Sequence, residues 1–275
     1  MKKFFIAGLF TLLCHNTASF ADSQVETNPT PLTGVYASVF GGGGSMMSGV
    51  SLVQLATALY DKDDGGPVAV NAKGSSNSSS FWLVGGNIGY NWFTKPVSSM
   101  GFNVSPSIEL EGLYIGQHKI KGSHQNNKDA SFTHIFKLTL PADTGVGLVN
   151  MVFDFCHQSC PKLHGYIGAG LGIGLTSISN AKAIQTTPPE PGINHFKGDS
   201  SDEGLSLAVQ PKLGMLFDCS SRISLFAEYR FLYLSNSNYE FGSTTVPGHV
   251  ATTSWLLKMG SQLMNIGVVG IRFKL

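Results

Sequence analysis

The chain has 275 residues, a formal net charge of +1 and only 13% charged residues, about half the roughly 25% usual for a soluble domain. There is no basic block and no charge asymmetry between the halves, so nothing in the sequence supports a nucleic-acid partner. The length suits one barrel-sized domain or two small domains.

The first element is a targeting segment. Met1-Lys2-Lys3 is a positive n-region, Phe4 to Leu13 is an apolar h-region, and Ser19-Phe20-Ala21 fits the small-x-small cleavage rule. Residues 1–21 are expected to be removed, leaving a mature chain from Asp22. Losing Lys2 and Lys3 with no acid takes the net charge from +1 to −1. Residues 22–33 are expected to be a short periplasmic segment and residues 34–275 the main domain. No run of 18 apolar residues follows Ala21, so no transmembrane helix is expected.

Eight alternating segments then read as strands: Gly34–Gly43, Phe81–Phe93, Phe102–His118, Gly145–Phe155, Leu163–Thr176, Gly204–Phe217, Arg222–Ser235 and Leu263–Leu275. Most have ten residues or more. Tilted membrane-crossing strands need about 9–11, whereas globular strands peak near 5–6. The connections alternate in length. Residues 44–80, 119–144, 177–203 and 236–262 are long and rich in Gly, Ser, Asn and Pro; residues 94–101, 156–162 and 218–221 are short. Ser131–Leu140 also alternates and is read as extending the fourth strand beyond a kink at Pro141. Thr252–Leu257 is read as doing the same for the eighth.

One face of each strand is apolar. Ile223, Leu225, Ala227, Tyr229, Phe231 and Tyr233 oppose Ser224, Phe226, Glu228 and Arg230. Val104, Pro106, Ile108, Leu110 and Tyr114 oppose Ser107, Glu109 and Glu111. Leu205, Leu207, Val209, Leu213, Met215 and Phe217 oppose Ser206, Ala208, Gln210 and Lys212. Val269, Ile271, Phe273 and Leu275 oppose Gly270, Arg272 and Lys274. Period two fits a soluble barrel as well as a membrane one. Strand length and loop alternation favour lipid on the apolar side. So does the fifth strand, where Gly168, Gly170, Gly172 and Gly174 leave room for bulky neighbours inside a narrow barrel. The fold expected is all-β: an eight-stranded antiparallel up-and-down transmembrane barrel with long extracellular loops.

The interior polar set is then Glu109, Glu111, Lys212, Glu228, Arg230 and Arg272, three acids and three bases. An interior of eight strands is just wide enough to be filled by side chains. Charges there must be paired, so a salt-bridge plug is expected and an ion pathway is the alternative. Trp82, Tyr90, Trp92, Phe93, Tyr114 and Tyr233 are candidates for the interfacial girdles.

The segments Val84-Gly-Gly-Asn-Ile-Gly-Tyr-Asn-Trp92, Ile108-Glu-Leu-Glu-Gly-Leu-Tyr114, Val149-Asn-Met-Val-Phe-Asp-Phe155, Tyr166-Ile-Gly-Ala-Gly-Leu-Gly172 and Ile223-Ser-Leu-Phe-Ala-Glu-Tyr-Arg230 resemble successive strands of two related groups. These are the OmpA-like outer-membrane barrels and the major surface antigens of rickettsia-like intracellular bacteria. The resemblance covers the strands from about Phe81 to Leu275 and not the long loops. It implies a Gram-negative outer-membrane barrel with surface-exposed loops, with roles in envelope integrity, host-cell contact or immune exposure and no catalytic residues. The expected partners are outer-membrane lipid, the barrel-assembly machinery through Val269, Ile271, Phe273 and Leu275, and host-cell surface molecules through the four long loops. Two residues depart from the pattern. Leu275 stands last where an aromatic is usual, with Phe273 in compensation. Pro211 sits mid-strand, where it cannot donate a ladder hydrogen bond, and predicts a local irregularity. No OmpA-type periplasmic domain is expected after the last strand.

The chemistry-bearing residues read modestly. After cleavage Cys156, Cys160 and Cys219 remain, all in turns assigned to an oxidising compartment. A structural disulfide is expected, Cys156 to Cys160 across one turn, or either to Cys219 on the next. Zinc is disfavoured there, since only His157 and His164 lie near. Gly41–Gly44 lacks the Gly-Lys-Ser/Thr ending of a phosphate loop. His134, His195 and His249 fall in outer loops amid many serines, and no spacing singles out a nucleophile–base pair. They read as solvated, as do the acidic runs Asp61–Asp64 and Asp199–Glu203, which lack the calcium-loop pattern. No catalytic residue, metal ligand or cofactor is expected. The function expected is a non-enzymatic surface barrel, with a small passive pore or transporter as the alternative and a lipid-modifying enzyme behind that.

Overall fold

The computed structural model describes residues 33–97, 101–126 and 134–275. The targeting segment and all but the last residue of the segment 22–33 lie outside them. In chain order the strands are β1 (Gly34–Met46), β2 (Ser51–Ala58), β3 (Val68–Ser76), β4 (Ser79–Asn91), β5 (Lys95–Val97), β6 (Phe102–Asn126), β7 (Ile135–His157), β8 (Leu163–Ile178), β9 (Lys182–Thr187), β10 (Asp202–Asp218), β11 (Ile223–Leu234), β12 (Ser237–Phe241), β13 (Trp255–Met259) and β14 (Gln262–Lys274).

Eight of them close a ring of antiparallel neighbours: β1, β4, β6, β7, β8, β10, β11, β14 and back to β1. These are the eight segments that the alternation marks out, with shifted ends. Register gives the barrel its shape. Partners traced from Gly34 run through Asn91, Ser107, Val152, Gly168, Lys212, Arg230 and Ile266 and return to β1 at Gly44. The shift from 34 to 44 is a shear of ten residues. With eight strands and ordinary sheet spacings, that sets a strand tilt of about 40° and a backbone radius of about 8 Å. Such a bore is just wide enough for side chains to fill.

Polarity decides the environment. Along β6, Glu109 is 1% exposed, Leu110 68% and Glu111 2%. Val39, Ile88, Leu171, Leu205 and Val269 share the exposed apolar exterior. Trp82 and Trp92 lie ten residues apart at opposite edges of this belt, about 25 Å at that rise and tilt, the height of a lipid-facing band. Trp82 packs edge-on against Tyr114 at 5.7 Å. Such charged-in, apolar-out order is the inverse of a soluble protein and belongs in a bilayer.

Above the belt the order inverts. Between Ile115 and His118 the register of β6 against β7 slips by one residue, a β-bulge. A one-residue slip exchanges the faces of a strand. Below it Glu109 and Glu111 point in and Leu110 points out. Above it His118, Ile120 and His124 point in, while Lys119, Lys121 and Gln125 are exposed. The irregularity expected at Pro141 therefore lies on the facing strand, and β7 runs through Pro141 unbroken. The inward face of β7 changes character without any slip, from Phe136, Leu138 and Leu140 to Asn150 and Asp154.

The extended β6 and β7 anchor a second sheet ordered β12-β13-β2-β3-β6-β7-β9. Gly242 N donates to Asp199 O at 2.7 Å and Ala181 N to Ser200 O at 2.9 Å, linking its two ends. This crown is filled by Leu52, Leu138, Phe196, Phe241, Trp255 and Leu257. The described parts of the long connections are thus a folded cap with a conventional apolar core, not solvated loops. Thr252–Leu257 does not lengthen the last barrel strand. Trp255–Met259 pairs instead with β12 and β2, and Gly260, tight against Ser51, separates it from β14. Pro211 leaves the register of β10 against β11 unchanged. That ladder skips only Gln210 and Pro211, while the ladder to β8 runs through them.

Burial in the crown makes it acid-sensitive. His124 is enclosed beside Gln54, and loss of hydration pushes its imidazole down to about 4. The unfolded ring titrates near 6.5. The native state therefore takes up this proton later than the unfolded chain does. Its contribution is whole above about pH 6.5 and is lost as pH falls toward 4, by up to ~3 kcal/mol. Trp fluorescence during urea titration is expected to show the crown weakening between pH 7 and 5, with the slope flattened in His124→Asn. An equal slope in the variant refutes the assignment.

Candidate functional site

The alternation of β6, β10, β11 and β14 brings the six predicted inward charges to one level of the lumen. Lys212 Nζ lies 2.5 Å from Glu109 Oε2, 3.3 Å from Glu111 Oε2 and 3.7 Å from Glu228 Oε2. Arg230 Nη1 donates to Glu111 Oε1 at 2.6 Å, and its Nε donates to Glu228. Arg272 bridges Glu109 and Asp154, both at 3.5 Å. Tyr36 OH donates to Glu109 Oε1 at 2.8 Å and Gln210 Nε2 to Glu111 Oε1 at 3.0 Å. The guanidinium groups of Arg230 and Arg272 lie over the rings of Phe40 and Tyr36, at 4.1 and 4.2 Å. Every one of these charges is met by at least one opposite charge within 4 Å, the condition for tolerating ions at such burial.

Sequence reasoning missed Asp154. Its signal was the alternation Asn150, Val152, Asp154, which puts it on the inward face of β7. It makes the acids of the cluster four against three bases. Tyr36, Tyr166 and Gln210 also belong to the cluster and were not singled out.

The remaining lumen is filled in two ways. Phe40, Leu113, Leu148, Leu232, Ile266 and Val268 form a buried apolar layer beyond the ions, continuous with the crown's core. At the other end Asp218 holds His164 at 3.1 Å and Lys274 at 3.2 Å. The glycines make room. A Cβ on Gly85 would meet the Phe40 ring at 2.5 Å and one on Gly170 would meet Asn150 Oδ1 at 2.0 Å. A cavity of about 40 Å³ persists between Tyr36, Asn91, Asp154, His164 and Arg272, room for a few waters at most. The larger concavity, about 860 Å³, lies against the outer apolar face, walled by Val39, Val84, Met215, Leu225 and Val269.

Val269, Ile271, Phe273 and Leu275 all face outward from β14 and the residue after it. The disulfide expectation is corrected. Cys156 and Cys219 carry free thiols, so no pairing among Cys156, Cys160 and Cys219 is formed. β7 continues to His157, which makes Cys156 an inward strand position rather than a turn residue. Its thiol faces the carbonyls of His157 and Pro161. Cys219 is exposed beside the carbonyl of Phe217.

The reading of the outer histidines as solvated is also corrected. His195 is 3% exposed and His249 half-buried, because the crown folds residues 179–201 and 242–254 against one another. Both converge on Glu190, a residue that no motif or spacing singled out. His134 Nδ1 lies 3.0 Å from Gln185 Oε1.

No protein-family model and no curated protein matches the chain. Among solved structures it is similar to the outer membrane protein OprG from Pseudomonas aeruginosa, at 12% identity over 88% of this chain and 98% of that one, TM-score 0.47. It is also similar to Neisserial surface protein A, at 13% identity over 90% and 99%, TM-score 0.32. A third is the translocator domain of the autotransporter NalP from Neisseria meningitidis, at 11% identity over 98% and 96%, TM-score 0.26. The polarity of the chain's own barrel, with short turns at one end and long connections at the other, is that of a Gram-negative outer-membrane barrel.

Proposed function

We propose that the chain is a non-enzymatic surface protein: a filled outer-membrane barrel that serves as a rigid stalk for a folded crown, which meets host-cell or envelope molecules. One observation carries this reading. The lumen is packed with paired ions below and apolar side chains above, and that packing continues into the crown without a break. A channel needs a wet path, and the cavity beside the ion cluster, among the described residues, is about 40 Å³, room for a few waters. The strand motifs that resemble OmpA-like barrels and rickettsial surface antigens point the same way. Under this reading the outward row Val269, Ile271, Phe273 and Leu275 is what the assembly machinery reads.

Two measurements test it. Protein reconstituted in planar bilayers is expected to show no stable conductance step, and a steady open channel would favour the pore. Trypsin added to intact cells is expected to cut first at Lys62, in the exposed turn between β2 and β3. Full protection of that site would count against surface display.

A further inference from the structure

Where the third and fourth outer connections meet, Glu190, His195 and His249 present one carboxylate oxygen and two ring nitrogens, all within 4.8 Å of one another. His195 Nε2 is 3.3 Å and His249 Nε2 3.2 Å from the same atom, Glu190 Oε2. The other nitrogen of each ring is already committed. His195 Nδ1 lies 3.0 Å from the carbonyl of Ala183, and His249 Nδ1 lies 2.7 Å from that of Val250. A carbonyl can only accept, so each Nδ1 carries the hydrogen, and in a neutral ring Nε2 is then a bare lone pair. Two lone pairs thus face one carboxylate oxygen with no hydrogen to share. A cation reconciles three acceptors at such distances.

Protons would have to charge both rings to satisfy both contacts. The rings stand 5.4 Å apart, and that of His195 is packed edge-on between Phe136 and Trp255 at 5.2 and 5.8 Å. Burying two like charges there is costly. One metal ion satisfies all three atoms together. Two of the three edges, 3.2 and 3.3 Å, match the roughly 3.3 Å ligand spacing of a tetrahedral ion with bonds of about 2.0–2.1 Å, and all three atoms lie within 4.8 Å of one another, so a small rotation of either imidazole closes the set. The surroundings are those of a ligand set held in place. Each imidazole is fixed by its carbonyl. Glu190 Oε1 accepts from Gln185 Nε2 at 2.9 Å, and Gln185 is held in turn by Pro188 O and His134. Two neutral imidazoles and one carboxylate select a borderline ion over calcium or magnesium, which take oxygen ligands.

We propose that Glu190, His195 and His249 bind one zinc ion, which staples the third outer connection of the crown to the fourth. Glu190 and His249 remain partly exposed, so water completes the coordination from the open side. This site is independent of the lumen and of the displayed role proposed above.

The test uses the full mature chain folded in detergent, stripped with chelator and titrated with ZnCl₂ by calorimetry. One site per chain is expected. His249→Ala and Glu190→Gln should each weaken it by about 100-fold or more while keeping the folded band on an unboiled gel. His157→Ala, at the opposite end of the barrel, should leave it unchanged. Cobalt(II) in place of zinc should give the visible absorption of a four-coordinate ion, lost in His249→Ala. Zinc should also slow trypsin cleavage at the exposed Lys197 in the parent and not in the variants. Absence of saturable zinc binding, binding untouched by either variant, or a preference for calcium overturns the proposal.

Discussion

Replacing Arg230 by methionine is expected to cost about 3–5 kcal/mol of folding stability, the penalty for removing one partner of a buried ion pair. The side chain is wholly buried and serves two carboxylates, Glu111 and Glu228. Without it both stay in a lumen where Lys212 already answers three acids. Aromatic rings and aliphatic side chains pack above the cluster and limit the water that can take the place of the lost charge. The check is the urea midpoint at which the folded form disappears from unboiled gels. Pairing Arg230→Met with Glu111→Gln should recover part of the loss, since the second change removes one stranded charge, and the cycle measures that coupling. A loss below about 1 kcal/mol would show that the cluster is hydrated and the lumen open.

Gly172→Val is expected to abolish the folded barrel. A Cβ at this position falls 1.8 Å from the carbonyl oxygen of Gly147 and 2.9 Å from Leu148 Cα. Those atoms are backbone of the neighbouring strand and cannot turn aside as a side chain would. Relief requires β7 and β8 to part, which breaks a ladder in a ring that has no free edge. The cost should exceed about 5 kcal/mol, the range reserved for severe local lesions. Gly147→Ala is the matched control, since nothing lies within 4 Å of its Cβ, which points toward lipid. The variant should show no folded band on unboiled gels and the control an ordinary one. Equal folding of both would mean that the strands are not as close as drawn.

Both expectations rest on what happens inside an eight-stranded ring of shear ten. Its narrow bore turns a list of inward residues into a single packed object. Gly85, Gly89 and Gly214 and the aromatic rings of Phe40, Tyr36 and Tyr166 that lie against them are complementary parts of that packing. So are the ions, since a charge there lasts only while its partners do.

The sequence by itself determined the barrel's strands and their faces. Alternation with period two is a local property, legible in Ile223 to Tyr233 or in Val104 to Glu111 without knowing any neighbour. Loop lengths distinguished the two ends for the same reason. The tertiary structure alone decided who meets whom. Arg230 and Glu111 are 119 residues apart, and only the register around the ring brings them to one level with Asp154. The bulge at Ile115–His118, which turns β6 inside out where it leaves the belt, has no local signature. The short strands of the crown were hidden in Gly- and Ser-rich connections, because their apolar partners come from other loops. That is why His195 and His249 looked like solvated residues, why Glu190 drew no notice, and why Cys156 looked like one end of a disulfide. Faces follow from the geometry of one strand, whereas pairing follows from closure of the whole sheet.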